Sequence, residues 1–150
     1  MNILLAINDS PYSTTAVEEV RRRPWSPGII VRVLSAIEPI TPPAAKLWIA
    51  VGGSFDGMAQ EMKRQHEELT ARAADSLRES GLIAESVVRE GDPRPVIVDE
   101  AKDWPADLIV AGSHGYSGIK RWLLGSVAQS VVSHAPCSVE VVRQKLVEAV

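Results

Sequence analysis

The chain has 150 residues, of which 45% are hydrophobic and 23% are charged, an ordinary balance for one globular domain spanning 1–150. Its 16 basic and 19 acidic residues give a net charge of −3, which argues against a nucleic-acid-binding protein because such proteins usually carry a basic stripe. No apolar run approaches the ~20 residues of a membrane span, and the single cysteine, Cys137, fits a reducing compartment, so we expect a cytoplasmic protein that contacts no membrane.

The predicted strands and helices alternate along the chain. Short apolar runs predict strands over 3–7, 29–37, 83–89, 107–111 and 138–142. Apolar residues spaced three and four apart predict helices that begin near positions 11, 59, 93 and 126. Because such alternation implies right-handed crossovers, we expect an α/β fold with a doubly wound parallel sheet covered on both faces.

Two features of the middle of the chain are harder to interpret. Segment 38–57 is rich in proline and glycine, so we predict a long connection there with a helical turn over 44–49. Three interpretations of Trp48 in this segment stay open: it covers a ligand, it anchors a neighbouring subunit, or it packs on its own domain. His66 belongs to the apolar stripe of the helix that follows, and we interpret it as a core or boundary residue rather than a ligand.

A glycine-rich loop follows the fourth predicted strand and has the sequence Gly112-Ser113-His114-Gly115-Tyr116-Ser117-Gly118. Phosphate binding needs a close backbone and inward amides, and glycine permits both because it lacks a side chain and accepts positive φ. Gly125-Ser126 then opens a helix whose first amides would face the same anion. The loop has neither the Walker A lysine nor a G-x-G-x-x-G pattern, so it predicts a phosphate site of another kind.

Several segments together make the chain similar, over essentially its whole length, to the universal stress proteins of the ATP-binding type. The matching segments are 3–10, 91–93, 107–115, Gly118, 123–128 and 134–137. The resemblance implies a five-stranded parallel sheet of order 3-2-1-4-5, the Rossmann-like fold of the adenine nucleotide alpha hydrolases. It also implies ATP, with or without Mg²⁺, as the ligand, and a homodimer paired through the last strand, 138–142.

The resemblance also implies a set of nucleotide-binding residues. On the nucleoside side these are Ala6, Asn8 and Ala36. On the phosphate side they are Gly112, Ser113, His114, Gly115, Ser117, Gly118, Gly125, Ser126, Val127 and Ala128. Two positions depart from the family pattern: Asn8 stands where ATP-binding members usually have Asp, and Ser138 stands where Pro is frequent. The first departure removes a negative charge that a metal ion would need, so no metal ligand is assigned.

Turnover of the nucleotide is not expected to be efficient. Phosphoryl transfer needs a group that positions water and positive charge on the transition state, and the residues near the loop that qualify are His114, Lys120 and Arg121. The motif itself contains no carboxylate, so we predict a binding protein with at most slow hydrolysis and assign no catalytic residue. Two alternatives remain: a dimerisation module of the same fold that binds no nucleotide, and an adenylating enzyme, which would need a further domain.

Overall fold

The computed structural model describes residues 1–114 and 124–144, and these form a five-stranded sheet. The strands are β1 (Asn2–Ala6), β2 (Ile30–Ile37), β3 (Ile83–Glu90), β4 (Leu108–Gly112) and β5 (Ser138–Val142). The helices are α1 (Pro11–Arg22), α2 (Pro42–Ala50), α3 (Phe55–Glu79), α4 (Pro93–Asp103) and α5 (Ser126–His134). All strand pairs are parallel and their order is β3-β2-β1-β4-β5, which confirms the predicted sheet.

The sheet is covered on both faces because its strands alternate between two apolar clusters. In β1, Ile3 and Leu5 belong to the cluster under α1 and α3, whereas Leu4 and Ala6 belong to the cluster under α4 and α5. Ile3, Leu4 and Leu5 are fully buried, as expected for the central strand of a doubly wound sheet. Within the described ranges no helix is both long enough and apolar enough to cross a bilayer.

The carboxyl ends of three strands meet at one edge of the sheet. Ala6 in β1 pairs with Leu34 in β2 on one side and with Ala111 in β4 on the other. The chain winds from β1 towards β2 and β3 and then crosses back to β4, so the strand order reverses between β1 and β4. Open parallel sheets bind their ligands at such a switch point.

The predicted connection over 38–57 is mostly helical instead. Pro42 and Pro43 stand in the first turn of α2, where the lost amide would have no helical acceptor, so these prolines start the helix rather than break one. The Thr41 side chain caps that helix by accepting from the amide of Ala44. A Cβ on Gly53 would lie 2.0 Å from the Trp48 indole nitrogen, so the indole packs on the turn after α2.

The helix that follows begins earlier than predicted. Ser54 accepts a hydrogen bond from the amide of Gly57, so α3 starts at Phe55 and reaches 25 residues. It ends as predicted before Gly81, which adopts a left-handed φ of +95°. At 1.5 Å per residue α3 is about 37 Å long, whereas the eight residues of β2 span about 26 Å. The first turns of α3 therefore extend past the edge of the sheet.

Candidate functional site

A cavity of about 510 Å³ opens at the switch point, within the roughly 300–1,000 Å³ range of small-molecule sites. It lies beyond the ends of β1, β2 and β4 and is bounded by the N-terminal half of α3 and the starts of α4 and α5. Residues expected from the sequence form much of its wall. They are Ala6, Asn8, Ala36, Gly112, His114, Gly125, Ser126, Val127 and Ala128.

The remaining sequence-predicted residues differ in placement. Ser113 is buried and does not line the cavity: its Oγ lies 2.9 Å from Nδ1 of His114. Its amide donates to the carbonyl of Val142, and its own carbonyl accepts from the amide of Gly125. Ser113 therefore holds the loop between β4 and α5 in place. The other predicted loop residues, Gly115, Ser117 and Gly118, lie outside the described residues, as do Lys120 and Arg121.

The wall formed by β4 and α5 is made largely of backbone. A Cβ on Gly112 would lie 2.9 Å from the backbone carbon of Tyr12, so this glycine is required by the close approach of α1. Gly125 has a φ of −63°, and Gly112 also lacks a positive φ. Of the two properties that suit glycine to such a loop, Gly112 therefore uses its lack of a side chain and not a positive φ, and Gly125 opens α5 as predicted.

The start of α5 differs from the starts of the other four helices. The helices α1 to α4 are capped by side chains of Ser10, Thr41, Ser54 and Asp92. The corresponding position of α5 is Gly125, which has no side chain with which to cap. The first amides of a helix have no intrahelical acceptor and carry partial positive charge. Ser126 and Val127 bring this end of α5 to the cavity wall.

Asn8 at the end of β1 is engaged in the turn that leads into α1. Its Oδ1 accepts from Ser13 Oγ at 2.9 Å, and its amide donates to the same hydroxyl at 2.8 Å. Among the described residues the Nδ2 group of Asn8 has no hydrogen-bond partner, which leaves a neutral donor on the cavity wall. His114 lies nearby, with its ring centroid 5.1 Å from that of Tyr12.

The opposite wall contains residues that sequence reasoning did not assign to the site. They are Glu38 after β2, Met62, Gln65 and His66 on α3, and Pro93 and Ile97 on α4. His66 is a boundary residue as interpreted, but it also lines the cavity. Met62 and His66 stand one helical turn apart, above the buried Ala73 and Leu77 of the same stripe. Met62, Gln65 and His66 lie in the N-terminal half of α3, which faces the carboxyl ends of the strands, and that position is the signal that would have found them.

His66 is held by a buried serine. Its Nδ1 lies 2.7 Å from Oγ of Ser35, which is 1% exposed. Burial lowers the pKa of His66, and the opposing influence of the Asp9 and Glu38 carboxylates does not restore it. The imidazole is therefore neutral near pH 7.

The described residues do not form a metal centre. No group of three His, Cys, Asp or Glu side chains among 1–114 and 124–144 is placed to hold an ion. Of the described residues on the cavity wall, Glu38 alone is acidic. The side chain of Asn8 is uncharged and is therefore a poor ligand for a divalent cation. The cavity wall at Asn8 instead suits a ligand that accepts a hydrogen bond.

The sequence pattern of the universal stress protein family matches residues 1–143. Universal stress protein YxiE of Bacillus subtilis is 35% identical over 89 residues, which cover 59% of this chain and 60% of that protein. Universal stress protein A homolog 2 of Coxiella burnetii is 30% identical over 145 residues, 95% of this chain and 94% of that one. The chain therefore spans less than two-thirds of the first relative and nearly all of the second.

Solved structures resemble the chain in fold. Hypothetical protein MJ0577 superposes with a TM-score of 0.80 at 24% identity, covering 96% of each chain. A universal stress protein family protein from Arabidopsis thaliana with AMP bound has a TM-score of 0.71 at 21% identity, covering 97% of this chain and 92% of that one. A universal stress protein in complex with cAMP has a TM-score of 0.67 at 21% identity, covering 97% and 98%. At these identities the likeness concerns the fold.

Proposed function

Because the chain belongs to the universal stress protein family, we propose that it binds ATP in the cavity beyond β1, β2 and β4. In this proposal it acts as a nucleotide-dependent regulatory protein of the stress response. Two structural relatives with this fold carry AMP and cAMP, which supports an adenine nucleotide as the ligand class. A cytoplasmic location is part of the proposal, since the lone Cys137 suits a reducing compartment.

The observation that carries the proposal is the glycine-capped start of α5 on the cavity wall. Anions bind well at helix N-termini because unpaired amides and the helix dipole both favour negative charge. A side-chain cap would occupy one of those amides, and Gly125 at the N-cap of α5 provides none. Gly112 lets α1 pack closely beside this wall, because a Cβ there would lie 2.9 Å from Tyr12.

The other half of the cavity suits a nucleoside. Ala6, Ala36, Pro93 and Ile97 present small or apolar side chains on which a flat base can lie. Asn8 adds a neutral donor between this half and the phosphate half. Small-molecule sites typically combine such an apolar lining with a few polar groups that set orientation.

The described residues of the cavity do not provide the carboxylates that a Mg²⁺ ion bound beside the phosphates would need. A Mg²⁺ site usually takes one or two protein carboxylates together with substrate phosphates. The turn after β1 offers the amide of Asn8 at the cavity wall, and Glu38 lies on the β2 side, away from α5. We therefore assign no residue to a metal ion and derive no step through one.

One substitution tests the helix start without disturbing the helix. Proline is favoured at the first position of a helix, and Gly125 already has the extended backbone, φ −63° and ψ 160°, that a residue before proline adopts. Ser126→Pro should remove one amide donor and weaken ATP binding about tenfold, the effect of one charge-assisted hydrogen bond of about 1.5 kcal/mol. Binding is measured by calorimetric titration of the purified protein.

The matched control is Ser126→Ala, which removes the hydroxyl and keeps the amide. We expect its ATP affinity to stay within about threefold of wild type, because the amide carries the contact. Both variants should unfold at the wild-type temperature. If millimolar ATP gives the wild-type protein no saturable heat, the nucleotide proposal is wrong and the interaction module of the same fold takes its place.

We further propose that two chains pair through β5. This strand lies at the edge of the sheet, and an unpaired edge is a template for a second strand. The carbonyl of Val142 bonds inward to Ser113, so the alternate residue Val141 directs its backbone groups to the open edge. Val141→Pro should shift the wild-type dimer to monomer in sedimentation velocity, and a wild-type monomer would contradict the proposal.

Turnover is proposed to be slow or absent, so the nucleotide acts as a ligand that stabilises one state. His114 is the described histidine beside the helix start, and its Nδ1 is engaged by Ser113 Oγ. Release of inorganic phosphate from ATP, followed over hours, measures this directly. Multiple turnovers per minute would contradict it and favour a weak ATPase.

A further inference from the structure

The wall opposite α5 holds a histidine that the phosphate contacts do not use. His66 lies on α3 above Ser35, near the carboxyl end of β2, and it lines two cavities. The first is the cavity of about 510 Å³. The second, of about 240 Å³, lies behind His66 and is lined by Asp9, Glu68 and Arg72 among others. His66 and its neighbour Gln65 line both cavities and thus lie between them.

The orientation of the His66 ring is fixed by Ser35 on the underlying strand β2. Ser35 points to the α3 face of the sheet, as do the buried Val33 and Val31, two and four residues before it. Its hydroxyl engages Nδ1, which leaves Nε2 as the ring atom able to contact a ligand. Among the described residues Nε2 has no hydrogen-bond partner. Because the serine hydroxyl can donate or accept, Nε2 can take either role towards a ligand.

The electrostatics of the cavity set the direction in which a nucleotide would lie. The helix start of α5 carries partial positive charge beside β4. Glu38 lies on the β2 side of the same cavity, and both Asp9 and Glu38 act electrostatically on His66. Phosphates are therefore attracted to the β4 side and repelled from the β2 side. The strands β2 and β4 are two strand spacings apart, about 10 Å, so the β2 side receives the other end of the ligand.

We propose that His66, positioned by Ser35, is a specificity-determining residue that hydrogen-bonds the nucleoside end of the bound nucleotide through Nε2. This assignment rests on the proposed function of the cavity and deepens it. Glycines and backbone amides recognise phosphates of any nucleotide, whereas a fixed imidazole distinguishes ligands by the groups on their nucleoside. Selection among nucleotides would then reside on α3 and β2 rather than on the glycine loop.

Two substitutions of the same histidine separate its two nitrogens. The amide of His66→Asn can replace Nδ1 against Ser35 but is too short to replace Nε2, whereas His66→Gln reaches the Nε2 position. We expect His66→Asn to bind ATP about tenfold more weakly than wild type, the effect of one lost hydrogen bond. We expect His66→Gln to stay within about threefold. Circular dichroism and thermal unfolding confirm that both variants are folded.

A second ligand distinguishes binding at the phosphate end of the site from binding at the nucleoside end. Inorganic tripolyphosphate offers the phosphates without a nucleoside, and its affinity is measured by competition with ATP in calorimetry. We expect tripolyphosphate to bind all three proteins equally, and Ser126→Pro to weaken both ligands. Long-range ¹H–¹⁵N spectra of the three histidines should show a change at Nε2 of His66 on addition of ATP and none on addition of tripolyphosphate.

The outcomes distinguish this assignment from the function on which it rests. No saturable ATP binding by wild type overturns both. Wild-type binding that His66→Asn leaves unchanged overturns the assignment alone, and so does an equal loss in the Asn and Gln variants, which would indicate packing. Two results would contradict the proposed orientation, with phosphates at α5 and the nucleoside at His66. The first is that tripolyphosphate does not compete with ATP for wild type, and the second is that His66→Asn weakens the binding of tripolyphosphate as well as that of ATP.

Discussion

The two walls of the cavity are built and held in different ways. The β4–α5 wall presents glycine backbone and helix amides, and it is held by backbone bonds from Ser113 to Val142 and from Gly125 to Ser113. The wall formed by β2, α3 and α4 presents side chains, among them His66 and Glu38. We therefore expect substitutions in the first wall to act mainly through the added side-chain volume. Substitutions in the second wall should act through the charge and hydrogen-bonding groups of the residue that is changed.

A buried ion-pair cluster anchors the side-chain wall. Glu100 on α4 is 6% exposed and lies 2.9 Å from Arg32 of β2 and 3.0 Å from Arg89 of β3. The guanidinium of Arg32 also lies 4.4 Å from the ring centroid of Trp104. Because α4 carries Pro93 and Ile97 at the cavity, this cluster fixes one side of the wall to the sheet.

The largest effect is expected from Glu100→Gln. It leaves Arg89 without its carboxylate and the mostly buried Arg32 with Glu85 alone, and it should lower the free energy of unfolding by about 3 kcal/mol. Urea denaturation at pH 7 measures this. The control is Glu85→Gln, whose exposed carboxylate also pairs with Arg32 and should contribute under about 1 kcal/mol. An equal loss of unfolding free energy in the two variants would show that the burial of Glu100 does not determine its contribution to stability.

The same cluster sets a pH dependence. Burial alone would raise the pKa of Glu100, but the hydrogen bonds from Arg89 and Arg32 outweigh it and hold the pKa below its ordinary value of 4.5. A carboxyl whose pKa is lowered on folding stabilises the protein above its unfolded value and loses that contribution as the pH falls through the folded value. Wild-type stability should therefore fall below about pH 4.5, and more steeply than in Glu100→Gln.

The backbone wall should respond to volume instead. Gly112→Ala places a methyl group 2.9 Å from the backbone of Tyr12, which cannot move without shifting α1. We expect a loss of about 2 kcal/mol in the free energy of unfolding. Ala36→Val on the opposite wall adds more volume at a half-buried position and should cost less stability while narrowing the cavity. Gly112→Ala with wild-type stability would contradict the comparison.

The smallest effect is expected at the junction of the two walls. Asn8→Asp keeps the acceptor that Ser13 uses but adds a negative charge to the cavity. ATP binding without Mg²⁺ should weaken about fivefold, about 1 kcal/mol of repulsion in a partly solvated site. Added Mg²⁺ should recover the affinity in the variant and change wild type little. Magnesium dependence of similar size in both proteins would contradict the role given to Asn8.

Prediction from the sequence succeeded where local signals were strong. Alternating apolar runs and helices predicted the doubly wound parallel sheet, and β5 was placed at its observed bounds. The strand order was implied by the family resemblance and is confirmed. Over 38–57 the predicted helical turn at 44–49 lies within α2, but the extent of helix was underestimated because Pro42 and Pro43 stand in a first helical turn and do not break one. Prediction also missed the lining role of His66, because helical spacing shows which residues share a face and not where that face leaves the core.

The sequence by itself determined the parallel sheet and the β4–α5 wall, since buried strands, glycines and a helix start have local signatures that need no distant partner. On the opposite wall the family resemblance implied Ala36, and tertiary structure alone decided the other residues. Ser35 and His66 are 31 residues apart, and their contact depends on how α3 packs on β2. Side chains that meet across elements are chosen by packing, which is why one half of this site was predicted from a motif and the other half was not.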